Sequence, residues 1–298
     1  MPRPVTAAVI VLALSAIAWP ASAAPTGVTY HPVTQYEKTF PTIGRPTLVL
    51  RAKDADVHVT TWDRPAVGIR VITRGWEWFF GSRPLIVQAS QTGNHVLCEV
   101  REPHPTGNPS LCIPAGSITR VDVNLPRNAD LDVSTGDGGI TIAPLAGDIR
   151  AHTGDGAIEA EGLRGRLSLS TGDGRIRATG LDGELVARSG DGSITLDGRF
   201  DRLEVSTSDG RVAATALEGS RLASDWDLRS GDGSLTLRVP ATLKANLDLH
   251  AGDGGLTVDL PVETSGRMEH HTLFGRLNGG GPLLRMRCGD GSIRLERL

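Results

Sequence analysis

Aromatic residues are scarce: five Trp, five Phe and two Tyr make up 4% of 298 residues. A compact sandwich is rarely so poor in them, whereas 37 glycines suit a chain with many repeated tight turns. Basic blocks are missing as well. Lys and Arg number 31 against 34 Asp and Glu, a net charge of −3, which argues against nucleic acid as a partner. No Gly-rich phosphate loop, nucleophile elbow or metal-type Cys/His spacing occurs, so no motif-borne enzyme class is indicated and no cofactor is expected. Past the first twenty residues no segment is apolar enough to span a bilayer, and no transmembrane anchor is expected.

The opening residues have the composition of an export signal. Arg3 gives a short positive start, Val5 to Trp19 is an almost uncharged apolar run, and Ala21-Ser22-Ala23 is a small-residue cleavage pattern. Residues 1–23 are expected to be removed; losing one arginine and no acid shifts the charge only to −4. The mature protein is expected in the periplasm or outside the cell.

What the sequence has in plenty is a repeat, the feature to seek first because missing it mis-assigns the whole fold. From Leu131 the chain reads LDVSTGDGGITI, IRAHTGDGAIEA, LSLSTGDGRIRA, LVARSGDGSITL and LEVSTSDGRVAA. Their aspartates, Asp137, Asp155, Asp173, Asp191 and Asp209, keep a strict period of 18. Three further copies, centred on Asp232, Asp253 and Asp290, follow at looser spacing. Each unit alternates apolar and polar residues on both sides of its Gly-Asp-Gly, and a period of two marks half-buried strands. The apolar columns persist down the copies while the positions between them vary among Asp, Arg, Ser, Glu and His. One side is therefore core and the other solvent. A single unit cannot bury its apolar side alone, so neighbours must stack into an all-β parallel solenoid (β-helix) of about nine short coils.

The column ahead of each Gly-Asp-Gly holds only small side chains: Thr135, Thr153, Thr171, Ser189, Thr207, Ser230, Ala251 and Cys288. A tight inward corner requires that, and it makes Cys288 a small buried thiol rather than a nucleophile. The glycines are expected to supply positive φ, and the aspartates to bond nearby backbone N–H groups at the turn. Residues 126–298 form the regular section. Residues 24–125 are expected to form a capping section with one worn copy, Leu48 to Val59, because terminal repeats must close the core. Cys98 and Cys112 flank a Pro/Gly-rich loop, and a disulfide between them is expected.

The Leu-x-Val-x-(Ser/Thr)-Gly-Asp-Gly-x-Ile units resemble the bacterial putative-adhesin domains, a family of unknown function, from about Thr39 to the carboxyl end. So does Leu125-Pro126 leading into Leu131, echoed by Val239-Pro240 leading into Leu247. The resemblance implies a right-handed solenoid on an exported protein associated with adhesion or the envelope. It brings no catalytic residues with it.

Three constellations carry functional alternatives. The Asp column reads first as turn-forming; a calcium row is the rival, although each turn offers one carboxylate where Ca²⁺ takes six to eight oxygens. Trp76, Trp78, Phe79 and Phe80 sit within five residues and are a candidate ligand-binding patch, with a plug over the open end of the core as the other reading. Arg150, Arg175, Arg177, Arg188, Arg211, Arg229, Arg285 and Arg287 fall on outward positions, either as a basic stripe for acidic glycans or as charges paired in the ladder. The partner expected is an envelope component, polysaccharide or protein. The rival is a β-helix carbohydrate-active enzyme, a lyase or hydrolase, which should gather two or three carboxylates and a base in one groove.

Overall fold

The computed structural model describes residues 33–74, 85–101, 118–264 and 271–298. Among them every regular element is a strand. The first section holds β1 (Val33–Pro41), β2 (Thr47–Ala52), β3 (Ala55–Trp62), β4 (Ala66–Arg74), β5 (Ile86–Thr92), β6 (His95–Arg101) and β7 (Ile118–Pro126). The regular copies supply β8 (Asp130–Thr135), β9 (Ile140–Ile142), β10 (Ala146–Thr153), β11 (Ile158–Glu161), β12 (Arg164–Thr171), β13 (Ile176–Ser189), β14 (Ile194–Thr207), β15 (Val212–Ala216), β16 (Trp226–Ser230) and β17 (Leu235–Val239). The last section holds β18 (Ala245–Ala251), β19 (Leu256–Val258), β20 (Val262–Thr264), β21 (Thr272–Leu277), β22 (Leu283–Cys288) and β23 (Ile293–Arg297).

A coil runs along one face, turns at Gly-Asp-Gly, and returns along a second. On the first face Leu131 lies beside Ile149, Ile149 beside Leu167, Leu167 beside Leu185 and Leu185 beside Leu203, all in parallel register. On the second, Ile140, Ile158, Ile176, Ile194, Val212 and Leu235 follow one another in the same way. Both columns point inward, and each of these side chains is at most 3% exposed. Burying a side chain of this size is worth about 1.5–3 kcal/mol, so the continuous core is the main source of stability. Phe200 and Trp226 meet edge to face, 6.3 Å between centroids, where the spacing of the copies loosens.

At both ends the stack departs from chain order. The worn copy sits where its columns predict, with Leu48 beside Leu131 and Val57 beside Ile140. Yet β6 and β7, later in the chain, lie outside it, so β2–β3 is sandwiched between β6–β7 and β8–β9. The last copy behaves alike. β22–β23 pairs with β16–β17 on one side and β18–β19 on the other, so the final coil is inserted ahead of its predecessor.

The corners correct the expectation for glycine. None of the Gly-Asp-Gly glycines has positive φ; those that do include Gly162 (65°), Gly165 (115°), Gly180 (64°) and Gly183 (129°), at the opposite corner. The second glycine of each motif is needed because the coils nearly touch there. A Cβ on Gly156, Gly174, Gly192 or Gly210 would lie closer than 3.0 Å to the carbonyl of the glycine one coil below. The first position is also tight, but Ser208 replaces it in one copy and its N–H still reaches Gly190 O at 2.8 Å. The small-residue column bonds as well as fits. Thr171 Oγ1 donates to Gly156 O (3.0 Å) and accepts from Gly174 N (3.1 Å), and Thr153 and Thr207 repeat both bonds. The ladder satisfies buried backbone groups that would each cost about 1–3 kcal/mol unpaired.

Candidate binding faces

Outward side chains form columns along each face, because parallel in-register strands place equivalent positions side by side. The arginines divide between the two. Arg150, Arg188, Arg229, Arg285 and Arg287 lie on the first face, and Arg175, Arg177 and Arg211 on the second. The eight therefore do not make one stripe: a coil folds back at its corner, so its two strands look in different directions.

The larger depression, about 510 Å³, lies on the second face. Its floor forms where β3, β9 and β11 run side by side and the outward residues of two of them are short: Thr60 on β3, then Thr141 and Ala143. Taller side chains border it, His58 at one side and Glu159, Glu161 and Arg177 at the other. Thr60 is engaged with Asn124 Oδ1 (2.7 Å), and Glu159 pairs with Arg175 (3.4 Å). Among the described residues, the side chains of His58, Thr141, Glu161, Arg177 and Thr179 have no hydrogen-bonding or ionic partner. They leave a carboxylate, a guanidinium, an imidazole and two hydroxyls open to a ligand.

A smaller depression of about 210 Å³ on the first face forms where Ser168 and Val186 stand between Arg150, Arg166, Glu184 and Arg202.

The turn aspartates, Asp137, Asp155, Asp173, Asp191, Asp209, Asp232, Asp253 and Asp290, form an exposed row along the corner. Their backbone N–H groups take part in the stacking, as Asp155 N to Gly136 O (3.3 Å) and Asp232 N to Ser208 O (2.9 Å) do. Their carboxylates make no hydrogen bond among the described residues. Nor is any group of three or more His, Cys, Asp and Glu there placed to hold a metal ion. Cys98 stands as a fully buried thiol on β6, and burial pushes it up to about 11; Cys112 lies outside the described residues. Trp76, Trp78, Phe79 and Phe80 lie outside them too. Cys288 is 4% exposed, and its Sγ donates to Gly233 O at 2.8 Å, in the place of a threonine hydroxyl.

The model of the Toastrack DUF4097 family matches residues 47–283. The chain belongs to that family. The resemblance carried by the Gly-Asp-Gly units is thereby borne out, and the Toastrack match closes at Leu283, where the inserted final coil begins. Among solved structures, the chain is similar to a "putative cell adhesion protein" from Clostridium sporogenes (11% identity, 91% of this chain and 100% of that one, TM-score 0.28). It is also similar to a "putative lipid binding protein" from Parabacteroides distasonis (16%, 89% and 96%, TM-score 0.49). A "putative adhesin" from Bacteroides fragilis gives 8%, 90% and 97%, with a TM-score of 0.36. At these scores the likenesses carry no argument about function. No curated protein matches the chain. The Toastrack domain is one of unknown function, and among its described residues no helix is long and apolar enough to cross a membrane.

Proposed function

We propose that this chain is an exported, non-enzymatic scaffold that holds an envelope component, polysaccharide or protein, against its flat faces. In this reading residues 1–23 are a cleaved signal, 24–125 cap the stack, and 126–298 form a right-handed parallel solenoid of about nine coils with a period near 18. The turn aspartates shape its corner, and a Cys98–Cys112 disulfide ties the loop between β6 and β7. The supporting observation is the second-face depression, where five polar side chains have no partner among the described residues. Open hydrogen-bonding groups beside short hydroxyl-bearing residues suit the many hydroxyls of a glycan, or a polar peptide strand.

The test is capture by envelope fractions, with peptidoglycan, lipopolysaccharide and secreted polysaccharide assayed in parallel. Saturable binding that weakens at least tenfold in Glu161→Gln/Arg177→Gln supports the depression as the site. Binding lost instead in Trp76→Ala/Trp78→Ala moves recognition to the aromatic cluster. No capture by any fraction overturns the reading.

One observation favours a second reading. Glu159 and Glu161 stand two residues apart on one strand, roughly 7 Å between Cα atoms, close to the carboxylate spacing of inverting glycosidases. Against it, both are exposed, and a general acid needs burial to keep its proton. Reducing-end release from envelope polysaccharides, abolished in Glu161→Gln, would establish hydrolysis; none is expected.

A further inference from the structure

On the first face, five arginines share three carboxylates. Glu204 meets Arg188 (2.5 Å) and Arg202 (3.2 Å); Asp227 meets Arg229 (2.5 Å) and Arg285 (3.8 Å); Asp248 meets Arg285 (3.3 Å) and Arg287 (3.4 Å). A guanidinium has five N–H donors, so this ratio leaves many of them pointing at solvent. The side chains of Arg188, Arg229 and Arg287 are 57%, 57% and 53% exposed. Exposed pairs of this kind exchange readily for a competing anion, because each is worth little in water.

The arrangement is ordered along the stack. One outward column runs Glu99, Arg51, Ser134, His152, Ser170, Arg188, Ser206, Arg229, Arg287, His250, and its single acid, Glu99, lies in the outermost of these coils. From Ser134 to Arg229, hydroxyl-bearing side chains alternate with His152, Arg188 and Arg229. Coils repeat every ~4.8 Å, so His152, Arg188 and Arg229 recur at about 10 Å, the length of one disaccharide in an extended chain. The aspartate row runs alongside, three residues on in each copy. It opposes a densely charged polyanion and leaves room for one whose anions are spaced like the cations.

We infer that this column is a binding track for an extended acidic polysaccharide with one anionic group per disaccharide, laid along the stack. The anions bridge to Arg188 and Arg229, and the intervening sugar hydroxyls meet Ser170 and Ser206. The inference deepens the scaffold reading and rests on it, but uses the opposite face from the Glu161–Arg177 depression.

The experiment measures binding of the full chain to immobilised hyaluronan (one carboxylate per disaccharide), polygalacturonate (one per sugar) and neutral dextran at low salt and at 0.5 M NaCl. Hyaluronan is expected to bind best, to lose at least tenfold in Arg188→Gln/Arg229→Gln, and to be released by salt. Thermal melts that match the parent show that the arginine variant is folded. Absence of hyaluronan binding, equal binding of all three polymers, or binding unchanged in the folded arginine variant overturns the track. If envelope fractions are still captured in those cases, the scaffold reading stands without it; if nothing is captured, both fall.

Discussion

At the amino-terminal end of the stack, both strands of the outermost coil carry added strands: β5 pairs antiparallel with β6, β4 pairs antiparallel with β7, and β1 pairs antiparallel with β4. At the other end, β18 is covered by antiparallel β21 and then β20, while β19 pairs only with β23 among the described residues. The side chains register the difference. Val121 and Val123 on β7 are fully buried, whereas Leu256 and Val258 on β19 are only half-buried. A parallel coil presents an edge in register for another coil, and a strand reversed to antiparallel breaks that coil-on-coil register. Both ends also share a device that repeats alone do not require: the terminal coil of the sequence lies one place in from the outside, gripped from both sides.

Three experiments break or sharpen this comparison. The largest effect is expected from Ala251→Cys, because Ala251 is the register partner of Cys288. Under oxidation a 251–288 disulfide should form, visible by peptide mass spectrometry. Closing a loop of about 38 residues should stabilise by roughly 4 kcal/mol on the chain-entropy estimate. Coils stacked in sequence order would place position 251 beside Ser230, and a Ser230→Cys/Ala251→Cys/Cys288→Ser chain would cross-link instead; it is expected not to.

Next, neighbouring glycines should behave unlike each other. A Cβ on Gly254 would run into the carbonyl of Gly291 in the inserted coil, while Gly255 has nothing within 4 Å. Gly254→Ala should cost about 1–3 kcal/mol in urea melts. Gly255→Ala should stay within about 0.5 kcal/mol of the parent. Equal costs would mean that β23 does not lie where the register puts it.

The smallest effect concerns the other end. Burial holds the Cys98 thiol near 11 against an ordinary 9.0, so the folded state keeps a proton that the unfolded chain has lost. Between about pH 9 and 11 stability should therefore fall as pH rises, and this part of the fall should be missing in Cys98→Ala when both are measured with reductant. Without reductant, a Cys98–Cys112 disulfide would remove this pH-dependent fall from the parent too, leaving a pH-independent stability difference; a fall between about pH 9 and 11 that persists in the parent alone would count against that bond.

The fold was readable in the sequence wherever local chemistry repeats. The Leu131 and Ile140 columns, and the worn copy at Leu48, predict which residues meet in register, because period-two burial and stacking leave little choice. The order of coils at the ends was not readable, since equivalent copies offer equivalent partners and nothing in Leu284 or Leu48 says which neighbour it joins. That gap hid the second-face depression: Thr60 borders Thr141 only because β3 is inserted next to β9. The reason for glycine was also missed. Gly-Asp-Gly suggests turn dihedrals, whereas the requirement comes from a backbone one coil away, and the hydroxyls of Thr153 and Thr171 looked like mere small size.

The inserted final coil also has a mechanical consequence. Its strands are flanked on both sides by parallel neighbours, and Leu298 N is tied to Val239 O at 2.9 Å. Tension applied at the carboxyl end, in line with the strands, cannot peel away an outer strand one bond at a time. It must shear ladders on both sides of the coil together, so the chain resists pulling from that end far better than a stack whose last coil lay outermost.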